Sequence, residues 1–78
     1  MTYLESKTID YIFARTVSLP LGGEATTSEL FAPDVWEELP VGTRRRHGRV
    51  VKRLADQGEI PLKPIGPNAA NHQRYRKR

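Results

Sequence analysis

A dense run of basic side chains is the part of this sequence best suited to chemistry. The run starts with three consecutive arginines and consists of Arg44, Arg45, Arg46, Arg49, Lys52 and Arg53. Each guanidinium group offers a rigid fork of N–H donors that matches the oxygens of a phosphate. The run therefore predicts a site for phosphate groups.

A second basic group closes the chain. It consists of Arg74, Tyr75, Arg76, Lys77 and Arg78, and Lys63 lies on the segment predicted to face it. Alternating arginine and tyrosine suits a nucleic-acid strand, because phosphates bind the cations while a base stacks on the ring. Packing of Tyr75 within its own hairpin is an equally open alternative.

The charge of the chain changes sign along its length. Residues 1–43 hold two basic and seven acidic side chains, a net charge of −5, whereas residues 44–78 hold eleven basic and two acidic ones, a net charge of +9. This asymmetry predicts a positive surface for a polyanion. The alternative is that the two halves simply attract each other, but adjacent arginines cannot all find partners within the molecule.

The sequence offers few residues suited to metal binding or to catalysis. The chain has no cysteine, and its two histidines, His47 and His72, lack the spacing of metal ligands. The sequence contains neither a glycine-rich phosphate loop nor a nucleophile elbow. We therefore expect a protein without enzymatic activity, metal or cofactor.

The length of 78 residues predicts one small domain, over residues 1–78, with residues 76–78 frayed. No apolar run approaches the ~18 residues that a membrane span requires, and the N-terminal residues lack the pattern of a signal peptide. We therefore expect a cytoplasmic protein that does not enter a membrane.

Apolar spacing and capping residues predict four helical segments. A capping box at Thr2 and Glu5 opens the first, whose isoleucine and phenylalanine side chains, Phe13 included, should be buried. The short third segment should turn Trp36 inward. The segments are Leu4–Arg15, one or two turns after Thr26, Pro33–Leu39, and a longer helix from its N-cap Thr43 to about Gln57, with Gly58 at the terminating position.

Extended segments are predicted over residues 17–21, 60–65 and 72–76, and prolines place the first two at sheet edges. This order of helix, short strand, two helical pieces, long basic helix and hairpin is typical of a winged helix. We therefore predict an α+β fold, a winged helix-turn-helix with three main helices and a small antiparallel sheet that carries a C-terminal β-hairpin wing.

Helical spacing divides the long helix into two faces. The packed arc comprises His47, Val50, Val51, Leu54 and Ala55, while Arg45, Arg49, Lys52 and Arg53 lie opposite and Arg46 lies at the border. Arg44 projects from the first turn on the packed side. Three arginines in a first turn would oppose the positive end of the helix dipole at ~0.3–1 kcal/mol each, and a bound phosphate would reverse that effect.

Gly48 is unusual in the middle of a helix, where glycine costs ~1 kcal/mol relative to alanine. The missing side chain indicates a close approach, either of a neighbouring helix or of a ligand backbone. The position of Gly48 on the rim of the apolar arc favours the helix.

The sequence also resembles a known family over about residues 28–76. The matching residues are Leu30-Phe31, Trp36 to Gly42, Arg44 to Arg49, Ile65-Gly66, Asn71-His72 and Arg74-Tyr75. The family comprises very short proteins, catalogued mainly as a domain of unknown function, and includes mobile-element members that look like winged helices binding single-stranded DNA. The resemblance implies a DNA-binding role for Arg44, Arg45, Arg46, Arg49, Asn71, Arg74 and Tyr75.

The leading hypothesis is a non-enzymatic DNA-binding protein that holds phosphates with a basic helix and a basic wing. A helix face rich in arginine, without Asn or Gln, discriminates bases poorly, which favours single-stranded or weakly sequence-specific DNA. A regulator that reads duplex DNA is one alternative. Another is a protein-interaction module in which the acidic half, or Tyr3, Leu4 and Tyr11, recruits a protein partner or a second copy.

Overall fold

The computed structural model describes residues 2–78, which form four helices and a three-stranded antiparallel sheet. No helix in this range is long and apolar enough to cross a lipid bilayer. In chain order, the elements are α1 (Tyr3–Ser18), β1 (Glu24–Thr26), α2 (Thr27–Leu30), α3 (Pro33–Glu38), α4 (Val41–Asp56), β2 (Leu62–Pro67) and β3 (Gln73–Lys77).

Helix α1 starts at the predicted capping box and ends later than predicted. Thr2 and Glu5 exchange the two hydrogen bonds of the box, at 3.0 and 3.2 Å. The helix continues to Ser18, and Lys77 donates hydrogen bonds to two carbonyls at its C-terminal end. The prediction of a strand over 17–21 is therefore wrong, and the first strand of the sheet is β1.

Helix α4 begins earlier than predicted. The N–H of Arg44 donates to the carbonyl of Pro40 at 2.9 Å, so that Pro40, and not Thr43, is the N-cap. The three arginines that start at Arg44 therefore lie beyond the first turn, outside the strongest field of the helix dipole. The helix ends as predicted before Gly58, whose φ of 73° is the left-handed conformation that glycine favours.

The strands are ordered β1-β3-β2, so the C-terminal strand is the central one. The prolines of β2 lie on an edge strand, where a missing N–H is tolerated. Arg76 pairs with Glu24 on one side and with Lys63 on the other, and Lys77 pairs with Leu62. The prediction that these last residues are frayed is therefore wrong for Arg76 and Lys77.

One apolar core joins the helices to the sheet. The predicted packed arc of α4 is confirmed, since all five of its residues are buried. Phe13, predicted to be buried, is 62% exposed. The core comprises Ile12, Leu30, Phe31, Val50, Val51, Leu54, Ala55, Ile60, Leu62 and Tyr75.

His47 links α4 to α1 inside this core. Its Nδ1 lies 2.6 Å from the hydroxyl oxygen of Thr8, which in turn donates to the carbonyl of Leu4 at 2.7 Å. Since the hydroxyl has one hydrogen, the imidazole donates to Thr8 from Nδ1. The aromatic rings of Tyr11 and Phe31 flank the imidazole, so a charged imidazolium would be poorly solvated.

Burial lowers the pKa of His47 below its ordinary value of 6.5, which makes folding depend on pH. Because the unfolded chain binds this proton more readily, stability is complete above about pH 6.5 and decreases as the pH falls below it. Urea denaturation followed by circular dichroism at pH 7 and at pH 5 measures the decrease. The pKa values of Glu5 and Glu29 are also lowered, mainly by hydrogen bonds from Thr2 and Thr26, and affect stability only below about pH 4.5.

The matched control is the exposed histidine, His72. The variant His47→Gln should lose most of the difference between pH 7 and pH 5, whereas His72→Gln should keep it. An unchanged pH dependence in His47→Gln would contradict the assignment.

Candidate nucleic-acid interface

A shallow groove runs between α4 and the start of β3. Two adjoining depressions, with volumes of ≈ 480 and ≈ 310 Å³, share a floor and a wall. Volumes of this order suit a small ligand or one unit of a polymer. We call this feature the basic groove; its lining includes Thr27, Arg45, Gly48, Arg49, Lys52 and Gln73.

The rim of the basic groove carries cations that the protein does not neutralise with its own acids. Within residues 2–78, Arg45 and Arg49 have no carboxylate within ion-pair distance. Lys52 pairs with Asp56 at 3.0 Å, but both side chains are about half exposed, and such surface pairs contribute little. Two guanidinium groups without a carboxylate partner among residues 2–78 and one weakly paired ammonium group therefore border this groove.

The remaining cations on the exposed side of α4 lie on its other flank. Arg53 approaches Glu5 of α1 at 3.5 Å, and neither Arg46 nor Arg53 lines the groove. Arg46 is exposed and, within the described part of the chain, has no carboxylate in ion-pair range. The predicted basic face is thus divided in two, and three of its five residues border the groove.

The guanidinium group of Arg44 forms hydrogen bonds within the protein. Its Nε donates to the carbonyl of Trp36 at 2.9 Å and its terminal nitrogen to the carbonyl of Glu37 at 3.1 Å. The guanidinium carbon lies 5.4 Å from the centre of the Trp36 ring. Arg44 therefore caps the C-terminal end of α3 and fixes it against α4, and these contacts occupy donors that the sequence had assigned to phosphate.

We expect Arg44→Ala to destabilise the fold by about 2 kcal/mol, because it removes two charge-assisted hydrogen bonds and a contact with the indole. Urea denaturation measures this loss. The neighbouring Arg45→Ala removes the same charge from an exposed position and should change stability by less than about 0.5 kcal/mol. Equal losses in the two variants would contradict the capping role of Arg44.

The second basic group lies on a different surface. Side chains alternate along β3, so that Tyr75 faces the helices while Arg74 and Arg76 face away from them. Both of these arginines approach Glu24, at 3.7 and 3.0 Å. Lys63 stands opposite Arg76 in the register, and we call Lys63, Arg74 and Arg76 the outer face. None of the three residues of the outer face lines the basic groove.

Tyr75 cannot stack on a base as the sequence allowed, because its side chain is 0% exposed. The ring fills the core between the sheet and the helices. Of the two interpretations of Tyr75 from the sequence, the structure therefore supports packing over base stacking. Tyr75 also borders the second depression of the basic groove.

Asn71 lies in the turn that joins β2 to β3. It is exposed, with a φ of 64°, and it does not line the groove. The side chain of Asn68 holds the turn by accepting hydrogen bonds from the N–H groups of Ala70 and His72, each at 2.9 Å. His72 follows directly and lines the end of the groove.

Gly48 lines both depressions of the groove. A Cβ built at this position would meet only the Cγ2 of Thr27, at 3.7 Å, which is an ordinary contact. Packing against a neighbouring helix, the explanation favoured from sequence, therefore does not require glycine here. The missing side chain instead leaves the floor of the groove open.

Several groove residues were not expected from the sequence. Trp36 packs against the core as predicted, but it is only partly buried and also lines the end of the groove. Thr27 and Gln73 belong to no motif that would have identified them, and His72 was noted only as part of the family resemblance. Gly48 gave a further signal, because glycine is unfavourable inside a helix.

Comparison with solved structures adds an independent observation on the fold. The chain is similar to a structure described as "SCCmec type IV LP1413 - nucleic acids binding protein", with a TM-score of 0.67 and 20% sequence identity. The match covers 99% of this chain and 89% of that one. The two chains share a fold. No family model and no curated protein matches this sequence.

Proposed function

We propose that this protein is a non-enzymatic DNA-binding module of the winged-helix type, which holds the backbone of a single strand along the basic groove. In this proposal α3 and α4 form the helix-turn-helix, and the hairpin of β2 and β3 is the wing. Arg45 and Arg49 bind phosphates, and Lys52 contributes a third cation once Asp56 is displaced.

The observation that carries the proposal is the pair of guanidinium groups on the rim of the groove. An arginine that is held for the fold is normally occupied, as Arg44 is by two carbonyls. Arg45 and Arg49 lie one helical turn apart on α4, and they have no such partners within residues 2–78. Neighbouring cations of this kind match the spaced negative charges of a nucleic-acid backbone.

The shape of the groove favours a single strand over a duplex. A duplex keeps its bases stacked and would present only phosphates to α4, leaving the two depressions empty. Unpaired bases can turn into such depressions while the backbone follows the cations. The solved structure that shares this fold is described as a nucleic acids binding protein, which supports nucleic acid as the ligand class.

A titration with matched single-stranded and duplex oligonucleotides, followed by fluorescence anisotropy, tests the proposal. The single strand should bind more tightly, and with three phosphate contacts the log–log dependence on salt should have a slope of about −2. Affinity should then fall about 20-fold between about 50 and about 200 mM salt. Tighter binding of the duplex, or binding that does not respond to salt, would contradict the proposal.

A protein-interaction module is the second candidate, and one observation favours it. Phe13 and Val17 lie one turn apart on α1, and each is 62% exposed. Exposed apolar side chains at this spacing suit a partner helix. Chromatography on heparin and on DNA distinguishes the candidates, because retention on heparin without retention on either form of DNA would leave only general basicity and favour the protein partner.

A further inference from the structure

The end of the basic groove nearest α3 differs from the rest. Trp36 forms one wall, with its ring 4.9 Å from that of Phe31 and with Arg44 packed over it. His72 and Gln73, at the tip of the hairpin, lie in the same depression. A fixed stack of indole and guanidinium beside an open space offers the flat surface on which a nucleobase packs.

The packing of the protein does not explain why the floor of this depression lacks a side chain. Gly48 lowers the intrinsic stability of α4, and nothing but the methyl group of Thr27 lies within reach of a Cβ there. Departures from a local rule that no packing constraint explains are expected at functional sites. A side chain at Gly48 would occupy the space beside Trp36.

A buried polar group lies under the second depression of the groove. The hydroxyl of Tyr75 is buried and has no hydrogen-bond partner within the described residues, although the side chain of Thr27 lies close to it. Burial raises the pKa of Tyr75 to about 12, so this hydroxyl keeps its hydrogen at neutral pH. Thr27 lines both depressions whereas Tyr75 lines only the second, so this buried hydroxyl lies next to the depression beside Trp36 and not in its lining.

We propose that the depression beside Trp36 receives one unstacked nucleobase of the single strand whose phosphates Arg45 and Arg49 hold. This inference rests on the proposed function and adds a base subsite to it. The base packs against the stack of Trp36 and Arg44, above Gly48. The contact is sequence-tolerant, because every base has an aromatic face.

The wild-type protein allows a direct test with two single strands of equal length, one oligothymidylate and one abasic. Both carry the same phosphates, so anisotropy titrations isolate the contribution of the bases. We expect oligothymidylate to bind about 10-fold more tightly, as base stacking predicts. We also expect only oligothymidylate to quench the emission of Trp36, the single tryptophan of the chain.

Two glycine variants in α4 separate the base subsite from helix stability. Gly48→Leu should reduce the affinity for oligothymidylate more than the affinity for the abasic strand, and should thereby remove most of the difference between the two strands. Gly42→Leu is the matched control, because a Cβ at Gly42 meets nothing within 4 Å and the residue does not line the groove. Neither variant should melt at a lower temperature than the wild type, since leucine is the better helix former.

Each outcome has a distinct meaning. Equal affinity of the wild type for both strands, equal quenching by both, or wild-type behaviour of a folded Gly48→Leu would overturn the base subsite while leaving the proposed function intact. Failure of the wild type to bind either strand would overturn the proposed function and the subsite together. If Gly48→Leu melts at a lower temperature than the wild type, its affinities are not used. The wild-type affinities for oligothymidylate and for the abasic strand then test the base subsite.

Discussion

The double variant Arg45→Ala/Arg49→Ala is expected to bind single-stranded DNA about 100-fold more weakly than the wild type. Each charge-assisted contact with a phosphate contributes about 1.5 kcal/mol, and the two residues lie on the same rim of the basic groove. Removing two of three phosphate contacts should also make the salt dependence shallower by about 1.4 in log–log slope. Anisotropy titrations over a series of salt concentrations measure both effects.

The outer face provides a control that is matched in charge. Lys63→Ala/Arg76→Ala removes the same two positive charges from the opposite side of the sheet and should weaken binding by less than about 3-fold, through net charge alone. Neither pair should change the unfolding transition by more than about 1 kcal/mol, because all four side chains are exposed. Equal losses in the two double variants would indicate binding by general basicity and would contradict a site in the groove.

Phe31→Ala is expected to have the largest effect on stability, about 3–5 kcal/mol. The side chain is 1% exposed, and its ring lies 4.9, 5.9 and 6.1 Å from the rings of Trp36, His47 and Tyr11. Deleting it leaves a cavity at the point where α1, α3 and α4 meet. Since a domain of this size has a stability of only about 5–15 kcal/mol, the variant should be partly unfolded at moderate temperature.

The other phenylalanine of the chain is the natural control. Phe13 is 62% exposed, and Phe13→Ala should change the free energy of unfolding by less than about 0.5 kcal/mol. Urea denaturation should be followed by far-ultraviolet circular dichroism, because the emission of Trp36 changes directly when the ring beside it is removed. A loss below about 1 kcal/mol in Phe31→Ala would contradict the arrangement of the core.

The sequence predicted the helices better than the strands. The capping box of α1, the proline that opens α3 and the glycine that follows α4 are short-range signals, and each lies where it was expected. The strand predicted over residues 17–21 failed because alternation over five residues is a weak pattern. The helix that replaces it gains hydrogen bonds from Lys77, at the far end of the chain.

The candidate site was predicted in part. Arg45, Arg49 and Lys52 were placed together on the exposed side of α4, and the structure places them on one rim. Arg44 lies on the packed side of α4 as predicted, but the donors that the sequence assigned to phosphate bond the backbone carbonyls of Trp36 and Glu37, and no sequence pattern indicates a bond of that kind. The sequence identified Gly48 as an unfavourable residue for a helix interior, but favoured helix packing as the reason, and the open floor of the groove is visible only in the structure.

The sequence by itself determined which side chains of α4 face the core and which face solvent, since a helical period of 3.6 residues is a property of the local chain. Only the tertiary structure decided which cations share a surface. Because side chains alternate along a strand, Arg74 and Arg76 lie on the face of the sheet opposite to Tyr75. A shift of the strand register by one residue would move both arginines to the helix side. Long-range packing against the helices fixes that register, and with it the separation of the basic groove from the outer face.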